Sequence, residues 1–263
     1  MAEAAFDFED STAYERFMGR WSRAIGEKFL AWLAPPKNAR WLDLGCGTGA
    51  FTGLILKTCM PAKVTGVDPS PQQVEHARAH FPNAEFRVGD SMALPFGDGE
   101  FDVVASALVL HFIPDRHKAF AEMVRVVRPG GTVAGYTWER SETVVSAPYW
   151  PLKRGVTEIG AQPALSPLVP EAMPDGVRAT AQAAGLMDID TKVIEASQTF
   201  RDFEDYWSTQ ASTFHPIGKL VAAMSEAERE RLRALMRKIL PAKADGAITY
   251  SARATAFKSR KPK

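Results

Sequence analysis

The sequence predicts an α/β protein built on a doubly wound, mostly parallel sheet of seven strands, with an antiparallel last strand. Three observations carry this. Short apolar runs alternate with amphipathic stretches between residues 38 and 138. Those runs are apolar at consecutive positions, as in strands covered on both faces. A glycine-dense loop, "GCGTG" at 45–49, directly follows the first run.

Taken in order, Tyr14, Phe17, Met18, Trp21, Ile25, Phe29, Trp32 and Leu33 recur at steps that align one face of a helix, and Pro35-Pro36 ends it. "ARWLDLG" is the first strand, "FTGLILKTC" a helix and "AKVTGVD" the second strand. "SPQQVEHARAHF" is a helix with Ser70 as N-cap and Pro71 at its first position. "AEFRVGD" is the third strand, and "FDVVASALVLHF" reads as one long fourth strand. The helix "RHKAFAEMVRVV" is closed by "RPGG", after which "TVAGYTW" forms the fifth.

From Glu139 to Pro174 the pattern lapses among prolines, which suggests an insertion or lid. "PDGVRATAQAAGL" resumes as a helix and "DIDTKVIEA" as a strand. "TFRDFEDYWSTQASTF" and "SEAERERLRALMRKIL" are helices, and "AITYSARATAFK" is a last strand at or near an edge. One domain is expected: a helical cap over 1–37, a cofactor-binding core over 38–138, an irregular lid over 139–174, and 175–263 completing the sheet with a helical substrate cover.

A formal charge of +1 creates no field that would gather nucleic acid or an anionic membrane. Two cysteines are too few for a disulfide framework or a zinc site, so no metal is expected and a reducing, cytoplasmic setting is. No apolar run has the roughly 18 residues of a membrane span.

A strand, glycine loop and helix in succession present backbone N–H groups beside a helix N-terminus, a place for an anion or carboxylate. Asp68 ends the second strand about 20 residues beyond the loop, where an acid can accept from ribose hydroxyls. Asp90 ends the third strand on the same rim. The loop reads G-x-G-x-G and not the dinucleotide pattern G-x-G-x-x-G. Asp43, inside the preceding strand, can hold the loop's amides or reach a ligand's ammonium through water. Any one of these acids can be a solvated strand-end residue; together they favour a zwitterionic ligand over a pyrophosphate.

The runs "WLDLGCGTGAFT", "VTGVDPSPQQVEHAR", "FRVGDSMALPF", "FDVVASALVLHF" and "VRVVRPGGTVAGY" resemble the class I S-adenosylmethionine-dependent methyltransferases. The chain is most similar there to the small-molecule group containing the ubiquinone and menaquinone methyltransferases, and the fold implied is a Rossmann-like sheet. The resemblance implies that Asp43, Gly45, Cys46 and Gly47 surround the methionine moiety of S-adenosyl-L-methionine. Asp68 would take the ribose hydroxyls, with Pro69 and Ser70 beside the adenosine. Asp90 would accept from the adenine amino group, with Ser91 and Met92 against the ring. Ala107 and Leu108 would lie beneath the cofactor, and Tyr14, Met18 and Arg20 would close over its methionine end.

Methyl transfer from a sulfonium is an in-line displacement, so alignment and exclusion of water matter more than a catalytic triad. No catalytic residue is assigned; His111 and His215 are candidates for a base, with His111 also a pocket-wall residue and His215 otherwise a surface-loop residue. Tyr136, Trp138, Trp150, Trp207 and Phe214 either line an apolar acceptor pocket or pack the lid. The expected partner is a small, apolar or ring-containing methyl acceptor and the product S-adenosyl-L-homocysteine, with no nucleic acid and a monomer or homodimer. The alternatives are a non-catalytic cofactor-binding module and an NAD-dependent oxidoreductase.

Overall fold

The computed structural model describes residues 15–139, 147–162, 173–213 and 215–263. Seven strands form one sheet in the order β3-β2-β1-β4-β5-β7-β6. They are β1 (Arg40–Leu44), β2 (Lys63–Asp68), β3 (Glu85–Val88), β4 (Phe101–Ala107), β5 (Val127–Trp138), β6 (Met187–Phe200) and β7 (Ile248–Arg260). The first five pair in parallel, and β7 runs antiparallel between β5 and β6. The antiparallel last strand is as expected, one place in from the edge.

Successive residues of the central strands serve opposite layers. Trp41, Val103, Ala105, Ala134 and Tyr136 join a core with α1 (Arg20–Leu33) and α2 (Ala50–Thr58). Leu42, Val104, Val133 and Phe257 pack on the other side with α4 (Arg116–Val126) and α6 (Pro174–Ala183). Two covered faces explain the near-continuous apolar runs of the central strands. α3 (Pro71–His80) lies over β2 and β3, and the Ser70 hydroxyl accepts from the Gln73 amide at its start, as expected.

Three local expectations are corrected. The fourth strand stops at Ala107, because Leu108 takes φ 61° and the chain passes into a 3-10 turn at Leu110–Phe112. "RPGG" does not separate helix from strand. Val127 already pairs with Phe101, and the residues up to Gly131 bulge out before Thr132 pairs with Val103. Proline has no N–H for the ladder, and Gly130 at φ 71° donates instead to Lys261 O at 3.0 Å. Within the stretch read as irregular, α5 (Trp150–Glu158) forms with proline in its first turn. Proline there likewise opens α8 (Pro216–Ala223), which follows α7 (Phe203–Gln210). α9 (Glu226–Ile239) opens with a reciprocal capping box between Ser225 and Glu228.

Candidate functional site

β1 sits between β2 and β4, so the chain leaving it must turn over the ends of its neighbours. Gly45 makes that turn at φ 74°, and a Cβ there would lie 2.5 Å from the Val109 methyls. Gly45 and Cys46 both donate to Val67 O, at 2.8 and 3.0 Å, and Gly49 donates to Cys46 O at 2.9 Å. Gly47 donates to Asp68 Oδ2 at 3.0 Å. These four amides are therefore spent inside the protein, so any N–H groups left for a ligand belong to Thr48 and the first turn of α2 and not to the glycines. The loop offers bare ground instead: a Cβ on Gly47 would meet only Gln73 Oε1, at 4.0 Å. A pyrophosphate needs unpaired amides at this place; a ligand that reaches the loop without a phosphate does not.

Below the loop, Asp43 is fully buried. Its Oδ2 accepts from the Thr52 hydroxyl at 2.6 Å, and Oδ1 has no partner among the described residues. Burial pushes this carboxyl up to about 7, and the Asp68 charge adds to the rise, while the Thr52 hydroxyl and amide oppose it. Such an orphaned buried oxygen suits a cation brought by a ligand. Asp43 does not hold the loop glycines; that task falls to Asp68 and Val67.

Asp68 accepts from Gly47 N and, through Oδ1, from Ser70 N at 3.0 Å. Burial raises its pKa, against the pull of those two amides. Asp90 is exposed one strand further out, its Oδ1 accepting from Met92 N at 2.8 Å. Ser91 and Met92 are half-buried beside it, and Pro69 is exposed. Ala107 ends β4 and the buried Leu108 follows it next to the loop, with Leu108 N donating to Tyr136 O at 2.7 Å.

The first helix reaches the loop through a residue that sequence reasoning missed. Glu15 Oε1 accepts from Thr48 Oγ1 at 3.1 Å, and its Oε2 pairs with Arg23 at 3.0 Å. An acid one turn ahead of the helix body was the available signal. Met18 is buried. Arg20 is exposed, and its carbonyl accepts from Gln198 on β6 at 2.9 Å. Tyr14 and Phe214 lie outside the described residues, as does much of 139–174.

The acceptor-side candidates divide. His111 stays at the rim beyond β4, its Nδ1 2.9 Å from Thr137 Oγ1 and its ring 4.0 Å from exposed Phe112. Trp138 meets Trp21 edge-on at 6.4 Å at the end of β5. Tyr136 is placed in the core, 4.9 Å from Phe29 and 5.8 Å from Phe51. Trp150 lies beneath Lys153 Nζ at 4.2 Å, and Trp207 stacks on Phe203 under the Arg233 guanidinium.

His215 is not a surface residue. It is fully buried, caps α8 by accepting from Gly218 N at 3.3 Å, and donates through Nε2 to Gln210 O at 2.7 Å. Burial lowers its pKa to about 4. With both nitrogens engaged in a neutral ring, it ties the cover together and is poorly suited to proton abstraction.

Among the described residues no three His, Cys, Asp or Glu side chains are grouped to hold a metal, and no helix is long and apolar enough to cross a membrane.

Residues 42–135 match the family model described as a methyltransferase domain. The 2-methyl-6-phytyl-1,4-hydroquinone methyltransferase of Synechocystis is 34% identical over 159 residues, covering 58% of this chain and 48% of that protein. The malonyl-[acyl-carrier protein] O-methyltransferase of Methylococcus capsulatus is 34% identical over 145 residues, covering 53% of this chain and 52% of that protein. The chain thus spans about half the length of these curated relatives. Its fold is shared with phosphoethanolamine N-methyltransferase 2 of Haemonchus contortus in complex with S-adenosyl-L-methionine. The TM-score is 0.57 at 20% identity, over 96% of this chain and 56% of that one. Residues 42–135 are thus similar to methyltransferase domains, and the sheet around them has the fold of a methyltransferase solved with S-adenosyl-L-methionine.

Proposed function

We propose that the protein transfers the methyl group of S-adenosyl-L-methionine to an oxygen, nitrogen or carbon of a small, apolar or ring-containing molecule. The observation that carries this is the fully buried Asp43, satisfied on one oxygen by Thr52 and without a partner among the described residues on the other, beneath a loop whose three glycine amides are already spent. That arrangement suits a ligand with an ammonium and no phosphate. When bound, the cofactor supplies an electrophilic methyl on sulfur, and the chain must align an acceptor with it and exclude water.

Asp43 would hold the amino end, and Asp68, anchored by Gly47 and Ser70, keeps lone pairs for ribose hydroxyls. Asp90 with Ser91 and Met92 would bracket the adenine. Leu108 floors the site. His111, oriented by Thr137, is suited to take a proton from a hydroxyl acceptor. The 139–174 segment, including α5, would close over the acceptor side. The names of the two curated relatives, one acting on a hydroquinone and one on malonyl-[acyl-carrier protein], agree with an acceptor outside the nucleic acids.

Calorimetric titration with S-adenosyl-L-methionine, S-adenosyl-L-homocysteine and NAD tests the cofactor. Micromolar binding of the first two alone is expected; binding of NAD alone overturns the reading. Turnover with a panel of ring compounds then separates an enzyme from a binding module.

A further inference from the structure

Three polar atoms on one face of α7 have no partner among the described residues. Tyr206 and Gln210 are spaced one helical turn apart and are both fully buried. Tyr206 Oη, Gln210 Oε1 and Gln210 Nε2 lack any hydrogen-bond partner among the described residues. A protein rarely leaves so much hydrogen-bonding capacity unused in one spot, because each group gave up water to be there. His215 does not relieve it, since its bond goes to the Gln210 carbonyl and leaves the side-chain amide untouched.

The surroundings are aromatic. Tyr206 meets Phe200 edge-on at 5.4 Å and Tyr250 at 6.1 Å. Tyr250 lies 5.4 Å from Trp21, which meets Trp138. Tyr250 itself is satisfied, donating to Pro148 O at 2.8 Å. Phe200 ends β6 and Trp138 ends β5, so this aromatic box sits at the rim where an open α/β sheet takes its ligand. β7, which carries Tyr250, is two strands from β4, roughly 10 Å at about 4.8 Å per strand. A planar molecule with its reacting atom at the end of β4 would extend across β5 and bring its far edge to α7.

We propose that Tyr206 and Gln210 read the polar edge of a planar ring acceptor, one carrying a hydroxyl or carbonyl oxygen, within the Trp21–Trp138–Phe200–Tyr250 box. This rests on the methyltransferase reading for the word acceptor, but the binding it asserts is independent of turnover. Tyr206 Oη donates to the ring oxygen, and the Gln210 amide, able both to donate and to accept, completes recognition of a hydroxyl. The ring faces supply the apolar contact. The groups are enclosed in the present conformation, so entry requires α7 to part from the box. The unused hydrogen bonds are what the bound ring restores.

The test uses the whole protein loaded with S-adenosyl-L-homocysteine, probed with 2-naphthol and naphthalene by equilibrium dialysis. The wild type should bind 2-naphthol at least tenfold more tightly. Tyr206→Phe and Gln210→Leu should each erase most of that preference while retaining affinity for naphthalene. Because each change removes an unpaired buried group, thermal midpoints without probe should hold steady or rise. Equal binding of the two compounds, binding of neither, or an undiminished preference in both variants overturns the proposal. So does a lowered midpoint in both, which would make these groups structural. Loss of S-adenosyl-L-homocysteine binding alone, with the 2-naphthol preference intact, would strike the cofactor reading and leave this one standing.

Discussion

The hydroxyl of Thr52 donates to Asp43 Oδ2 at 2.6 Å, and through that bond the first turn of α2 grips a carboxyl lying entirely out of solvent. Burial holds Asp43 near 7, above its unfolded value of about 4. Between those values the folded chain keeps a proton that the unfolded chain releases, so this residue lowers stability as pH rises from about 4 to about 7. The loss is about 1.4 kcal/mol per pH unit and then levels off. Urea unfolding of the wild type and Asp43→Asn at pH 5 and 8 should show the variant gaining relative stability at the higher pH.

Cofactor binding should carry the same titration with the opposite consequence. An ammonium beside Asp43 favours the ionised carboxyl, so affinity for S-adenosyl-L-homocysteine should fall about tenfold for each pH unit below about 7. Calorimetry at pH 6.5 in buffers of different ionisation enthalpy should detect proton release on binding. Asp43→Asn should bind more weakly and release none; a pH-independent affinity in the wild type counts against this contact.

Asp68 serves two backbone amides before any ligand arrives. Asp68→Ala should weaken S-adenosyl-L-methionine by about 1–3 kcal/mol, because a charged acceptor is lost from the ribose, and should also lower the thermal midpoint. Unchanged affinity in a folded Asp68→Ala protein would remove Asp68 from the site.

Gly45 and Gly160 separate backbone strain from steric fit. Both have positive φ, 74° and 93°, but a Cβ on Gly160 meets nothing within 4 Å whereas on Gly45 it meets Val109. Gly160→Ala should therefore cost about 1 kcal/mol and Gly45→Ala about 2–4 kcal/mol by urea unfolding. Equal costs would mean that Val109 moves aside freely.

His215 titrates in the other sense from Asp43. Its folded value of about 4 lies below the ordinary 6.5, so its contribution to stability is complete above pH 6.5 and is lost as pH falls towards 4. At pH 5 the deficit is about 2 kcal/mol. His215→Asn, which keeps an acceptor for the α8 cap, should abolish that slope in unfolding measurements while leaving the pH dependence of turnover in place.

The core from β1 to β5 was legible because alternation of apolar runs, N-caps and breakers all act locally. Ser70 and the Arg116–Val126 helix needed no tertiary information. The prolines of "RPGG" and of 139–174 are where the sequence misleads. Pro151 reads with its neighbours as breaking the pattern, yet it occupies a first-turn position where its missing N–H is harmless, as Pro216 does in α8. Asp68 and Asp90 could be singled out from their place at or just after the ends of β2 and β3, and Asp43 as the acid inside β1. That Gly45, Cys46 and Gly47 spend their amides on Val67 and Asp68 depends on how β1 and β2 lie together, which spacing alone does not reveal. The aromatic residues were visible as a group, but their division between core, as Tyr136, and rim, as Trp138, follows from strand register.

The position of β7 between β5 and β6 also sets when the molecule can finish folding. During synthesis β6 emerges with no strand to pair with, since its neighbour in the sheet is made later. Until residues 248–260 follow, β5 and β6 each present an open edge, and the part of α1 that will rest on β6 stays uncovered. The half-sheet from β1 to β5 has its own partners by then and can form first. A nascent chain arrested in α9 would hold a folded half beside a sticky one, the state in which this fold is most prone to aggregate.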